Sequence, residues 1–222
     1  MMKNYKIKKH WILALFMGFL CISLTRGQAD AGAKVILDKA SSTMSSYKNV
    51  AMDFDYVLDN RAEDVKHELS GNLLLEVDKY VVNLFGTQQI FDGEKTYTII
   101  PENEEVNISE MDVDQDNAFR PSKFYSFYES GYGYEMDELK TVNGRKVQFV
   151  KLIPIDSESE ISIILVGIEV KTNHIYQIIE VGTNKTRTIL TASNIRTNQD
   201  LDGSVFLFDE KKYEELNYMI NK

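Results

Sequence analysis

Few residues in this chain could carry chemistry, and their spacing argues against most of it. His67 and His174 stand far apart, each beside an expected turn or strand start, with no partner placed for metal binding or acid–base work. Both read as surface histidines. The run Asp112-Val113-Asp114-Gln115-Asp116-Asn117 alternates carboxylates as a calcium loop does. However, Asn117 stands where the sharp turn needs glycine and Lys123 where a bidentate glutamate should close the site, so a solvated acidic loop is the simpler reading. No G-x-S-x-G elbow accompanies the serines, and no glycine-rich phosphate loop occurs. Asn107-Ile108-Ser109 and Asn184-Lys185-Thr186 match the glycosylation sequon, a pattern too short to decide anything. No nucleophile and base leave a trace, so the chain is expected to be neither an enzyme nor the holder of a cofactor or metal.

What remains is binding without reaction, and the residues for it are apolar. Residues 71–101 hold successive strand-like runs closed by turn residues. Leu69, Gly71, Leu73, Leu75 and Val77 fall on one face of a strand, because side chains alternate with a period of two. Tyr80, Val82 and Leu84 repeat the pattern. Asp92-Gly93 supplies a tight turn, and Tyr97 and Ile99 resume the alternation on the same oily face. Pattern alone favours the ordinary core of a β protein over the wall of a lipid pocket.

Charge and leader narrow the setting. Lys3, Lys6, Lys8 and Lys9 precede an apolar run at 11–24, and the small residues Gly27 and Ala29 follow, which reads as a cleaved secretory signal over residues 1–27. The run covers 14 residues, short of the roughly 20 needed to cross a bilayer. Leu20 precedes Cys21 where a lipoprotein signal needs a small residue, so lipid anchoring at Cys21 is not expected. Residues 28–222 then form one domain without cysteine. Five of the 25 basic residues go with the leader, leaving 20 against 34 acidic ones, a formal charge of −14. Such a charge repels phosphate backbones and anionic lipid surfaces, which argues against nucleic-acid binding and constitutive membrane association. With no disulfides or thiolate sites available, stability must come from packing.

The elements that must position the oily face follow in order. Asp30 can cap a helix whose Ala33, Leu37, Ala40, Met44 and Tyr47 share one side and lie on the sheet. Val50, Met52, Phe54, Tyr56 and Leu58 alternate as a first strand, and residues 59–66 read as a connection. Residues 102–120 look irregular except at 106–108, and a connection of that length is often functional. Pro121 suits the start of a short helix carrying Phe124, Phe127 and Tyr128. Hairpins follow. Asn143-Gly144 is a turn, 161–170 a buried central strand, and 175–181 and 187–195 two more strands. Val205-Phe206-Leu207-Phe208 reads as a last strand, and Tyr213, Leu216 and Ile220 as one face of a closing helix.

The ordered motifs resemble the LolA type of bacterial outer-membrane lipoprotein carrier. The resemblance rests on Gly71-Asn72-Leu73, on Tyr80-Val81-Val82-Asn83-Leu84, and on Gln89-Ile90-Phe91-Asp92-Gly93 running on through Tyr97 to Pro101 and Glu105. Pro121-Ser122-Lys123-Phe124 and residues 205–208 extend it. It implies a mainly β fold with α (α+β), an incomplete antiparallel β-barrel whose concave apolar cavity is covered by helices. It further implies a monomeric periplasmic carrier that takes acylated lipoproteins from an inner-membrane lipoprotein-releasing ABC transporter towards an outer-membrane acceptor. Releasing acyl chains into water costs about 0.8 kcal/mol per CH₂, so such a carrier must shield them. The expected lining is Met52, Phe54, Tyr56, Leu73, Leu75, Tyr80, Val82, Leu84 and Ile99, with Phe124, Phe127 and Tyr128 on the lid. One departure stands out: Glu76, Val77 and Asp78 occupy the place where the family carries a basic residue and a proline tied to release. A sensor or regulatory module for lipid or lipoprotein on the same fold is the alternative.

Overall fold

The computed structural model describes residues 30–110 and 125–222. The expected leader with Cys21, the acidic run at 112–117, Pro121 and Phe124 lie outside the described residues. The described chain opens with helix α1, Ala31–Ser45. Asp30 caps it, accepting from the backbone N–H of Gly32 at 2.8 Å and of Ala33 at 3.2 Å. The same residue pins the helix to a strand edge: its N–H donates to Tyr134 O at 3.1 Å, and its Oδ2 accepts from Met136 N–H at 3.1 Å. These backbone donors, Ala33 first, hold the Asp30 carboxyl below its usual range. Ala33, Leu37, Ala40 and Met44 form the buried stripe, as their spacing requires.

Twelve strands follow: β1 Asn49–Asn60, β2 Val65–Glu76, β3 Lys79–Leu84, β4 Thr87–Phe91, β5 Lys95–Ile100, β6 Glu105–Glu110, β7 Tyr132–Val142, β8 Arg145–Pro154, β9 Ile161–Glu169, β10 Ile175–Gly182, β11 Arg187–Thr197 and β12 Met219–Asn221. They make one sheet in the order β12-β6-β5-β4-β3-β2-β1-β11-β10-β9-β8-β7, antiparallel except where β12 runs parallel to β6. Its two edge strands do not meet, so the sheet is an incomplete barrel with helices, as expected. Turn chemistry sets the register. Asn143 and Gly144 both take positive φ, 48° and 79°, as a two-residue hairpin turn demands. At the β4–β5 turn the Asp92 carboxylate accepts from Glu94 and Lys95 N–H, both at 2.8 Å.

Several sequence expectations need correction. Only the middle of residues 59–66 is a connection, because β1 and β2 continue as a long hairpin that turns at 61–64. Part of the stretch expected to be irregular is β6. Residues 205–208 form no strand: Gly203–Phe206 is a 3-10 turn that buries Phe206. The closing helix α2 spans only Glu210–Glu215, and Ile220 lies in β12. Tyr213 and Ile220 do pack together, but over the convex side of the sheet.

The start of β1 is held by a buried amide. Asn49, 1% exposed, donates through Nδ2 to Gln199 O at 2.8 Å and accepts at Oδ1 from Gln199 N–H at 2.8 Å. Its partner is the chain leaving β11, so one side chain closes the seam between distant segments. Asn49→Ala leaves both backbone groups without that partner and is expected to lower stability by about 2 kcal/mol, measured by urea unfolding.

Candidate functional site: the concave apolar face

Strand register sorts every expected lining residue onto one face or the other. On β1, Val50, Met52 and Phe54 point to the side covered by α1 and are at most 4% exposed. Leu73 and Leu75 stand opposite Met52 and Val50, and Val82 and Tyr80 stand opposite them in turn. These residues, with Tyr56, Leu84, Phe127 and Tyr128, belong to one apolar cluster on the concave side. Ile99 does not. It pairs with Gln88 and Val106 and packs with Ile90 on the convex side, under the aromatic C-terminal segment. Tyr97 joins it there, its ring stacked on Phe208 at 4.6 Å between centroids. The side-chain phase inverts across the β4–β5 turn: Phe91, opposite Tyr80, faces the cavity side, and its own partner on β5 is Thr96. Val77 is also off the face, in the β2–β3 turn at φ 50° and 74% exposed.

Cover over the concave face is uneven. Helix α1 lies across one part, with Met44 beside Val50 and Leu75. The 3-10 turn Phe127–Glu129 is tied to the helix, because Tyr128 Oη donates to Asp38 Oδ1 at 3.0 Å while Lys34 Nζ reaches the same carboxylate at 2.8 Å. Burial, with the Asp38 contact second, pushes the Tyr128 hydroxyl up to about 12, so it stays a proton donor at neutral pH. Tyr134 Oη donates to Tyr128 O at 3.0 Å, joining this turn to β7. Away from the helix the face is only half-covered. Tyr56, Leu190 and Ile178 are direct neighbours across β1, β11 and β10, all half-buried, and Phe85 sets its ring edge-on to Tyr56 at 5.4 Å. Val82 and Leu84 are half-buried on the neighbouring part of the face.

Sequence reasoning missed part of this surface. Phe91, Ile178, Leu190, Tyr132 and Tyr134 share it. The signal for Ile178 and Leu190 was alternation in their own strands. In β8 and β9 no such signal exists, since both faces are apolar: Val150, Leu152, Ile164 and Val166 point to the concave cluster while Val147 and Phe149 form a convex one.

No protein-family model matches the chain, and no curated protein matches it in sequence. Solved structures do match. An uncharacterized conserved protein from Thermus thermophilus aligns over 85% of this chain and 98% of its own, with a TM-score of 0.53 at 8% identity. LprF from Mycobacterium bovis aligns over 79% and 97% with a TM-score of 0.48 at 10% identity, and a LolA superfamily protein from Nitrosomonas europaea over 80% and 98% with 0.40 at 10%. The likeness to the Thermus thermophilus protein shows a shared fold alone. The described residues hold no gathering of three or more metal-ligating side chains. They also hold no helix long and apolar enough to cross a membrane.

His174 is no surface histidine. It is half-buried at the end of α1, where Tyr47 Oη lies 2.9 Å from Nε2 and the two rings meet edge-on. Burial lowers its pKa from 6.5, with Glu169 opposing and Arg145 assisting. Next to it Glu169, 6% exposed, accepts from Arg145 Nη1 at 3.0 Å and from Thr172 Oγ1 at 2.7 Å. Burial works to raise the Glu169 carboxyl, but these donors and the Arg145 charge outweigh it and hold it low. Both depressed groups take up protons more readily in the unfolded chain than in the folded one. Stability is therefore full above about pH 6.5 and falls as pH drops below it through His174. It falls again in the carboxylate range through Glu169. Chemical denaturation across this window should show the first slope vanish in His174→Gln.

Proposed function

We propose that the protein binds acyl chains on its concave face and carries acylated lipoproteins through the periplasm, from an inner-membrane ABC transporter to an acceptor at the outer membrane. The observation that carries this reading is the half-covered row of Tyr56, Leu190 and Ile178, continued by Val82 and Leu84. A finished core would bury such side chains, and here they stand where α1 leaves the sheet open. Binding by area without directional bonds suits a cargo that must later be surrendered. The working unit is residues 28–222, acting as a monomer after loss of the leader.

A second reading keeps the site and changes the use: a sensor that holds a lipid or lipoprotein without passing it on. The β2–β3 turn favours it, because Glu76, Val77 and Asp78 put acidic and aliphatic side chains where the resemblance leads one to expect a basic one. Purification from the native host tests the first reading. Acylated lipoprotein should co-purify, and incubation with acceptor membranes should transfer it. No bound lipoprotein, with normal sorting after depletion, would sink the carrier role, while binding without transfer would leave the sensor.

A further inference from the structure

We propose that the end of the molecule formed by the β2–β3 turn, the C-terminal end of α1 and the β9–β10 turn docks on an anionic lipid bilayer. This rests on the acyl-binding reading above, because it assigns the end of the concave face that meets the membrane. Val77 at one side is held at φ 50°, a left-handed conformation that Asn, Asp and Gly enter readily and a β-branched residue does not, and its side chain is 74% exposed. A strained backbone displaying an aliphatic side chain to water has no use in the folded core. With Lys48, Tyr47 and Met44 it lines a cavity of about 320 Å³ that opens at this end. Tyr47 in turn meets His174, and beyond it Val170 stands 52% exposed with its N–H bonded to Lys146 O at 2.9 Å.

The rim thus carries two aliphatic tips, Val77 and Val170, and three exposed lysines, Lys48, Lys146 and Lys171, none of which forms an ion pair with a described residue. Asp78 on the cavity margin and Glu76 just before Val77 are the acidic groups beside them, and Glu169 is already paired with Arg145. In a chain of strongly negative charge this local excess of lysine points the molecule: its bulk is repelled by a phosphate surface while this end is drawn to it. Phosphate headgroups fit these lysines, since ammonium groups act as point charges needing no fixed partner geometry.

The test is co-sedimentation with vesicles of phosphatidylglycerol and phosphatidylethanolamine against vesicles of phosphatidylcholine, at low and high salt. The wild type should pellet with the anionic vesicles at low salt only. Each lysine is worth about fivefold in affinity, so K48E/K146E/K171E should lose a hundredfold or more. Val77→Asn should weaken binding several-fold while raising Tm, because Asn relieves the left-handed strain. Equal pelleting with both vesicle types, or unchanged binding in the triple variant, overturns the proposal, as does an absence of vesicle binding, which an acidic protein partner would produce. Uptake of a fluorescent fatty acyl probe in solution is read separately. It should be unaltered by the rim substitutions, so failure of docking and failure of acyl binding are distinguishable.

Discussion

Val82→Asp and Ile178→Asp each reduce the affinity for an acyl ligand by more than a hundredfold, while leaving the protein folded. Both side chains are half-buried on the concave face, so in the free protein a carboxylate there keeps water on one side. An acyl chain laid over it removes that water and offers no hydrogen bond in return. An isolated buried carboxylate costs several kcal/mol even after relaxation, and a hundredfold change in affinity corresponds to about 2.8 kcal/mol. The matching control is Glu68→Ala: Glu68 pairs with Val57 on the opposite face and is exposed, so binding should be unchanged. Displacement of a fluorescent acyl probe, with circular dichroism to check the fold, measures all three. Unchanged affinity in both aspartate variants would remove the acyl chain from this face.

The elements whose side chains alternate cleanly are legible in the sequence. Helix α1 with its Asp30 cap, β1, and the β2–β3 pair have their buried faces assigned by pattern, because Met52, Phe54, Leu73, Leu75 and Tyr80 sit in strands whose other face is mostly polar. Ile99 shows where that logic stops. Alternation within β5 is as clear as in β3, but nothing local says which face of β5 continues the concave side across the β4–β5 turn. There the register puts Thr96 opposite Phe91 and turns Ile99 to the convex side. The convex side can hold apolar groups because the C-terminal segment covers it, with Phe208 stacked on Tyr97, Tyr213 on Phe208, Tyr218 edge-on to Tyr213, and Ile220 in the same cluster. That cover is tertiary. Its own local signals mislead, since Val205 to Phe208 form an apolar strand-like run, whereas the chain makes a 3-10 turn that ends at Phe206. The site is legible to the same degree: its centre follows from alternation, while Leu190 and Ile178, alternating in their own strands, reach it only through the pairing of β11 with the distant β1.

Gly71→Val, in the opening motif of the resemblance, is expected to lower stability by about 3 kcal/mol, the upper end for overpacking a filled core. In a chain of this length that is a fall in Tm of roughly 6–12 °C. Gly71 faces Phe54 directly across β1 and β2. A Cβ at 71 would lie 2.6 Å from Phe54 Cζ and 2.6 Å from the backbone oxygen of Asn83. The ring of Phe54 occupies the space a side chain would take, so the glycine is required by packing and not by an unusual φ. The two clashes differ in kind. Phe54→Leu removes the ring and should recover part of the loss in a double variant, whereas the Asn83 carbonyl belongs to the strand pairing and cannot withdraw without parting β2 from β3. A double-mutant cycle with Gly71→Ala and Phe54→Leu therefore should show a favourable coupling that leaves a residual penalty. Full additivity would mean that the ring does not rest on the glycine. Because Phe54 is the buried floor beneath Tyr56 on the same strand face, the same substitutions should also shift acyl affinity in the order of their clash, Gly71→Val more than Gly71→Ala.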